Sequence, residues 1–123
     1  MEDRILRNRR ILIVEDEYML ADDLKTELSD ADAIVLGPAG TLEEALDLIR
    51  SERKIDGAIL DVYLHGAIVF PVADMLLLRD VPFVFTTGYE GSAIPSRYAN
   101  VIRCEKPINI KRVTQAIRRI IRT

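Results

Sequence analysis

Short apolar runs of strand length recur along this chain, charge follows each closely, and helix-patterned segments separate them. Residues 11–14 (Ile-Leu-Ile-Val) run into Glu15 and Asp16, residues 58–60 into Asp61, and Val101 and Ile102 are followed by Lys106 and Pro107. Such alternation predicts parallel strands covered by helices on both faces. In a parallel sheet of this kind the strands' carboxyl ends share one crevice, and ligands bind there. Three carboxylates and a lysine would meet in it from distant parts of the sequence. That set suits a divalent cation and a phosphoryl group.

The bulk properties restrict the function further. At 123 residues the chain is expected to form one domain over 1–123, with no output domain. Its 17 basic and 20 acidic side chains give a net charge of −3, so bulk electrostatics do not predict nucleic-acid binding. The single cysteine, Cys104, cannot form an internal disulfide and fits a reducing cytoplasm. Residues 1–10 are charged and lack the apolar core of a signal peptide, and the apolar run around residues 75–78 is too short to span a bilayer. A cytoplasmic protein is expected, without a membrane partner.

Five strands and their helices can be placed. Residues 11–14 read as the first strand and 18–28 as a helix, with Met19, Leu20, Leu24 and Leu28 on one stripe. A second strand over 33–36 is closed by Gly37 and Pro38. Thr41 with Glu44 then forms a capping-box pattern opening a helix over 42–50. The third strand is 57–60, and the third helix 69–78 carries Pro71 in its first turn. The fourth strand, 81–86, is rich in β-branched and aromatic residues. Residues 88–100 should hold a fourth helix, but Gly88, Gly91 and Pro95 predict that it is short, irregular or mobile. Val101 and Ile102 form a brief fifth strand. Asn109 caps the last helix, whose apolar face is Ile110, Val113, Ile117, Ile120 and Ile121.

The residues at the strand ends can be given chemical roles. Adjacent carboxylates at Glu15 and Asp16 repel unless a cation or proton neutralises them. Mg²⁺ prefers one or two carboxylates plus water and phosphate oxygens, so Asp16 and Asp61 could ligate it directly and Glu15 through water. The metal would leave one Asp61 oxygen free to attack phosphorus and form an aspartyl-phosphate. Lys106 would neutralise the incoming group, and the Thr87 hydroxyl could hydrogen-bond it, with Gly88 permitting close approach. The Lys106–Pro107 bond could be cis.

Together these residues resemble the receiver domain of two-component response regulators. ILIVEDE at 11–17, ILDVYL at 59–64, FTTG at 85–88 and EKP at 105–107 stand in the family's order across essentially the whole chain. The resemblance implies a flavodoxin-like, doubly wound sheet of order 2-1-3-4-5, the fold class that the alternation also predicts. It implies Asp61 as phosphoacceptor, Asp16, Asp61 and the Tyr63 carbonyl as Mg²⁺ ligands with Glu15 through water, Thr87 as switch hydroxyl and Lys106 as phosphate partner. Residues 82–92 (PFVFTTGYEGS) are similar to the "FAT GUY" receivers, named for a Phe-Ala-Thr-Gly-x-Tyr-like motif, although Thr86 stands where that name has Ala. Members of this group are often stand-alone and paired with HWE or related histidine kinases.

One departure bears on switching. Most receivers carry an aromatic residue three positions before the lysine, and here that residue is Arg103. A switch would then run through another element, and ordering of residues 88–100 on phosphorylation is the expected alternative. Tyr63 and Tyr89 should flank the crevice mouth and slow hydrolysis of the phosphate. His65 reads as a loop residue beside the site, and Cys104 as packed in or beside the fifth strand. Lys111, Arg112, Arg118, Arg119 and Arg122 make the last helix basic, which is either a solvated face or a partner surface.

The leading expectation is a non-enzymatic phosphoacceptor. It would take its phosphoryl group from a sensor kinase, then dock on an unknown target or drain that kinase. It is expected as a monomer, with a dimer open. A pseudo-receiver, whose acidic site persists without switching, is the alternative. An aspartate-nucleophile phosphatase fits poorly, because Tyr63 stands where such enzymes need an acid two positions after the nucleophile.

Overall fold

The computed structural model describes residues 4–88 and 94–121. In chain order its elements are β1 (Arg10–Val14), α1 (Tyr18–Asp30), β2 (Ile34–Ala39), α2 (Leu42–Ser51), β3 (Gly57–Asp61), β4 (Tyr63–Leu64), β5 (Ala67–Ile68), α3 (Phe70–Leu78), β6 (Phe83–Thr87), β7 (Arg103–Glu105) and α4 (Ile110–Ile120). The main sheet runs β2-β1-β3-β6-β7, all parallel. Counted along this sheet alone, that is the order 2-1-3-4-5, as expected for the flavodoxin-like class. β3 and β6 are buried along their whole length and β1 along all but its first residue, which is why they read as unbroken apolar runs.

Alternation along the strands feeds two separate cores. Leu12, Val14, Leu60, Phe83 and Phe85 pack with Ala45 and Ile49 of α2 and Val72 and Leu76 of α3. Ile11, Ile13, Ile59 and Val84 pack with Leu24 and Leu28 of α1 and Val113 and Ile117 of α4. Thr41 caps α2, accepting the Glu44 amide at 3.1 Å, while Glu44 Oε1 reaches back to the Gly40 amide. Asn109 caps α4 by accepting the amides of Lys111 and Arg112.

The structure corrects several expectations. β2 does not end at Leu36 but runs on through Gly37 and Pro38. Gly37, at φ 93°, admits this because a Cβ there would lie 2.8 Å from the Ile13 carbonyl oxygen. The fifth strand is Arg103–Glu105 rather than Val101 and Ile102. It is an edge strand with Cys104 turned inward between exposed neighbours, so two apolar residues in a row mark its approach and not its ladder. Met19 is exposed and lies off the buried stripe of α1, where Ala21 takes the inward place.

The hairpin β4–β5 was not expected. Leu64 pairs with Ala67 across His65 and Gly66, both at positive φ, the geometry of a type I′ turn. In place of a fourth crossover helix, the described residues hold a three-residue 3₁₀ turn, Ser96–Tyr98. The rest of that segment, residues 89–93 with Tyr89 among them, lies outside the described residues.

Tyr98 anchors the 3₁₀ turn. Its ring is fully buried against Phe70, Phe83 and Phe85, edge-to-face with the last two. Its hydroxyl donates to Asp74 of α3, and Arg97 forks onto the same carboxylate at 3.1 and 3.2 Å while its guanidinium covers the Tyr98 ring. Burial, then the hydrogen bond to Asp74 and its charge, pushes the Tyr98 hydroxyl up to about 12. The Arg97 hydrogen bond holds the Asp74 carboxyl below its ordinary range.

Candidate functional site

Each polar residue of the crevice lies at or just past the end of a strand of the main sheet. Glu15 and Asp16 follow β1, Asp61 ends β3, Thr87 ends β6, and Lys106 follows β7. The Lys106–Pro107 peptide bond, left open by the sequence, is cis. The Lys106 amide donates to the Thr87 carbonyl at 2.7 Å, and its Nζ reaches Asp61 Oδ2 at 2.9 Å. Burial works against the ammonium. The hydrogen bond to Asp61 and the charges of Asp61, Glu15 and Glu17 outweigh it and raise the Lys106 pKa.

Glu15, Asp16 and Asp61 each offer an oxygen within 4.8 Å of the others. Asp16 is held from the hairpin, accepting the His65 amide at 2.7 Å, and the His65 imidazole stands 3.5 Å from the same oxygen. Tyr63 donates its amide to Asp61 Oδ1 at 3.3 Å, which brings its backbone to the site. The Glu15 carboxylate accepts the Glu17 amide through Oε2, while its buried Oε1 finds no hydrogen-bond partner among the described residues. Burial pushes Glu15 up to about 8 against the Glu17 amide, and the negative charge of Asp61 adds to the rise.

These residues fit a hard divalent cation. The donors are all oxygens, three carboxylates crowd a small space, and a buried carboxylate oxygen is unpaired. Thr87 is buried at the end of β6. Strand alternation points it toward the core of Phe85 and Tyr98, and points Thr86 to the opposite face with Val84.

The structure thus brings together Glu15, Asp16, Asp61, the Tyr63 amide and Lys106, and places Thr87 at the end of β6 with its carbonyl on the Lys106 amide. The His65 amide is a contact the sequence reading missed. Its signal was the His-Gly pair between two short apolar pairs, which encodes a tight turn. Cys104 lies in the fifth strand, one of the two places expected, and burial pushes its thiol up, away from reactivity.

No family model matches the chain. The chain is similar to SdrG from Sphingomonas melonis Fr1, with 36% identity, 89% of this chain and 95% of that chain covered, and a TM-score of 0.75. The BeF3-activated conformation of SdrG, from Pseudomonas melonis Fr1, gives 38% identity, 90% and 94% coverage, and a TM-score of 0.72. The non-phosphorylated HemR receiver domain from Leptospira biflexa is 29% identical, with 94% and 98% covered and a TM-score of 0.76. The phyllosphere-induced regulator PhyR of Methylorubrum extorquens is 39% identical over 82 residues, which are 64% of this chain. The match spans only 30% of that relative's length.

Proposed function

We propose, since this chain belongs to the receiver domains of response regulators, that Asp61 accepts a phosphoryl group from a sensor histidine kinase of the HWE or a related type. One observation carries this reading. A nearly buried Asp61 carboxylate is held by Lys106 at 2.9 Å while two further carboxylates stand within ligand distance of it. Mg²⁺, held by Asp16, Asp61 and the Tyr63 carbonyl and by Glu15 through water, would offset the negative charge of the carboxylates and of the phosphoryl oxygens.

The chain's own groups do the rest. An Asp61 oxygen attacks phosphorus, a P–O bond forms, and the P–N bond to the kinase histidine breaks with imidazole as leaving group. Lys106, already oriented by Asp61, meets the charge brought by the phosphoryl oxygens. Thr87, buried at the end of β6, is the switch hydroxyl of this reading. With Arg103 exposed on β7, the response passes instead through residues 88–100, whose described end is pinned by Tyr98. The basic face of α4 takes the downstream protein, because Arg112 and Arg119 flank a groove of about 630 Å³ lined by Ile102, Cys104 and Ala116.

The test is a two-dimensional NMR titration with Mg²⁺ and then beryllofluoride, on wild type and Asp61→Asn. The expected result is metal-dependent shifts at Asp16 and Asp61, followed by a response of residues 94–100 in wild type alone. Metal binding with no later response would favour the pseudo-receiver, a reading that Arg103 supports. Silence toward both reagents would remove the phosphoacceptor. A second expectation concerns lifetime. Tyr63→Ala should shorten the half-life of the aspartyl-phosphate severalfold, measured by loss of the phosphorylated band on a phosphate-affinity gel.

A further inference from the structure

At the level of Asp61 the sheet carries two buried side-chain oxygens with no hydrogen-bond partner among the described residues, Glu15 Oε1 and Thr86 Oγ1. The proposed cation site accounts for the first. Nothing in the reading so far uses the second, although an unpaired buried hydroxyl costs stability that a valine of the same shape would not.

The register places Thr86 beside the reacting group. Asp61 of β3 pairs with Thr86 of β6, and Thr86 pairs with Cys104 of β7. Paired residues of neighbouring parallel strands share a face, so Thr86 and Asp61 lie side by side, one rung above Val84 and Ile59. Thr86 is fully buried, and an alanine, which the resembled motif carries here, would offer no oxygen.

Lys106, a hydrogen-bond donor, is carried by strand order across the end of the strand that bears Thr86. Its backbone sits past the end of β7, with its amide on the Thr87 carbonyl, yet its Nζ reaches Asp61 on β3. β6 lies between those strands, so the lysine stem crosses the end of β6 on the way. The β6 side chain on the Asp61 face at that level is Thr86. An ammonium has three hydrogens to donate, and the carboxylate takes one here.

We infer that Thr86 is a positioning residue for Lys106: its hydroxyl accepts an ammonium hydrogen when a phosphoryl group on Asp61 draws the lysine off the free carboxylate. The inference rests on the phosphoacceptor reading and deepens it. The hydroxyl is unpaired at rest and paired when loaded, so it favours the loaded state. It acts only through Lys106 and touches no reacting atom.

The experiment compares wild type, Thr86→Val and Thr86→Ser, each first shown to be folded by its amide spectrum. Loading by acetyl phosphate with Mg²⁺ is followed on phosphate-affinity gels, and the Lys106 Nζ resonance is recorded with and without beryllofluoride. Thr86→Val should load roughly tenfold more slowly, the loss of one hydrogen bond to a charged group. Its Lys106 Nζ signal in the beryllofluoride state should move and exchange faster with water. Thr86→Ser should restore both. Identical Lys106 signals in wild type and Thr86→Val would overturn the inference while leaving the phosphoacceptor intact. A wild type that neither loads nor shifts its Lys106 signal would overturn the phosphoacceptor reading, and the inference with it.

Discussion

Tyr98→Ala is expected to remove about 3–5 kcal/mol of stability, the usual cost of emptying a fully buried aromatic site. Domains of this size have only about 5–15 kcal/mol in total, so melting should begin roughly 10–15 °C lower in scanning calorimetry. The cost is high because the ring closes one side of the box formed with Phe70, Phe83 and Phe85, and no other aromatic side chain among the described residues replaces it. Tyr98→Phe separates the ring from the hydroxyl. It keeps the packing and loses the bond to Asp74, and the expected cost falls to about 1 kcal/mol. Similar losses in the two variants would show that the polar clasp, not the ring, holds the turn in place.

The second large effect is a gain. Glu15→Gln should stabilise the metal-free protein at slightly alkaline pH, because burial makes the Glu15 carboxylate costly to ionise. The folded pKa, about 8, lies above the ordinary 4.5, so between those values the folded state holds a proton that the unfolded state has released. Stability is therefore complete below the unfolded pKa and declines as pH rises toward the folded one. In a chelating buffer the wild type should lose on the order of 3 kcal/mol between about pH 5 and pH 8. Glu15→Gln should show a flat profile there. Added Mg²⁺ at the alkaline end should recover much of the wild-type loss and little in the variant. Denaturant titrations across pH, with and without metal, measure all of this, and a pH-independent wild type would contradict it.

The sequence discloses the central strands and the crevice for one physical reason. Both faces of β1, β3 and β6 are covered, so the apolar run and the charge that ends it are each unmistakable. Legibility fails where burial is one-sided or geometry is local. β7 keeps only Cys104 turned inward, so composition placed it two residues early, at Val101 and Ile102. β2 absorbs Gly37 and Pro38, which normally punctuate a strand, through a register shift opposite Leu12 and Val14. The His65–Gly66 turn lies in a hairpin of two-residue strands, too short for periodicity to register. Tyr98 offered no pattern at all, because its partners Phe70, Asp74 and Phe85 come from other elements. The clustering of Glu15, Asp16, Asp61 and Lys106, by contrast, follows directly from strand order and was readable in full.

Thr86 and Thr87 are neighbours in the chain, yet alternation turns them to opposite sides of the sheet. One faces the compartment closed by α1 and α4, the other the compartment that houses Phe85 and Tyr98. The central strands thus act as a bulkhead, with separate wiring on each side. Under the proposed function, sensitivity to the incoming group and volume of the outgoing message would become independent controls, and substitutions around Ile59 or Ile117 would be expected to retune the one while leaving the other as it was.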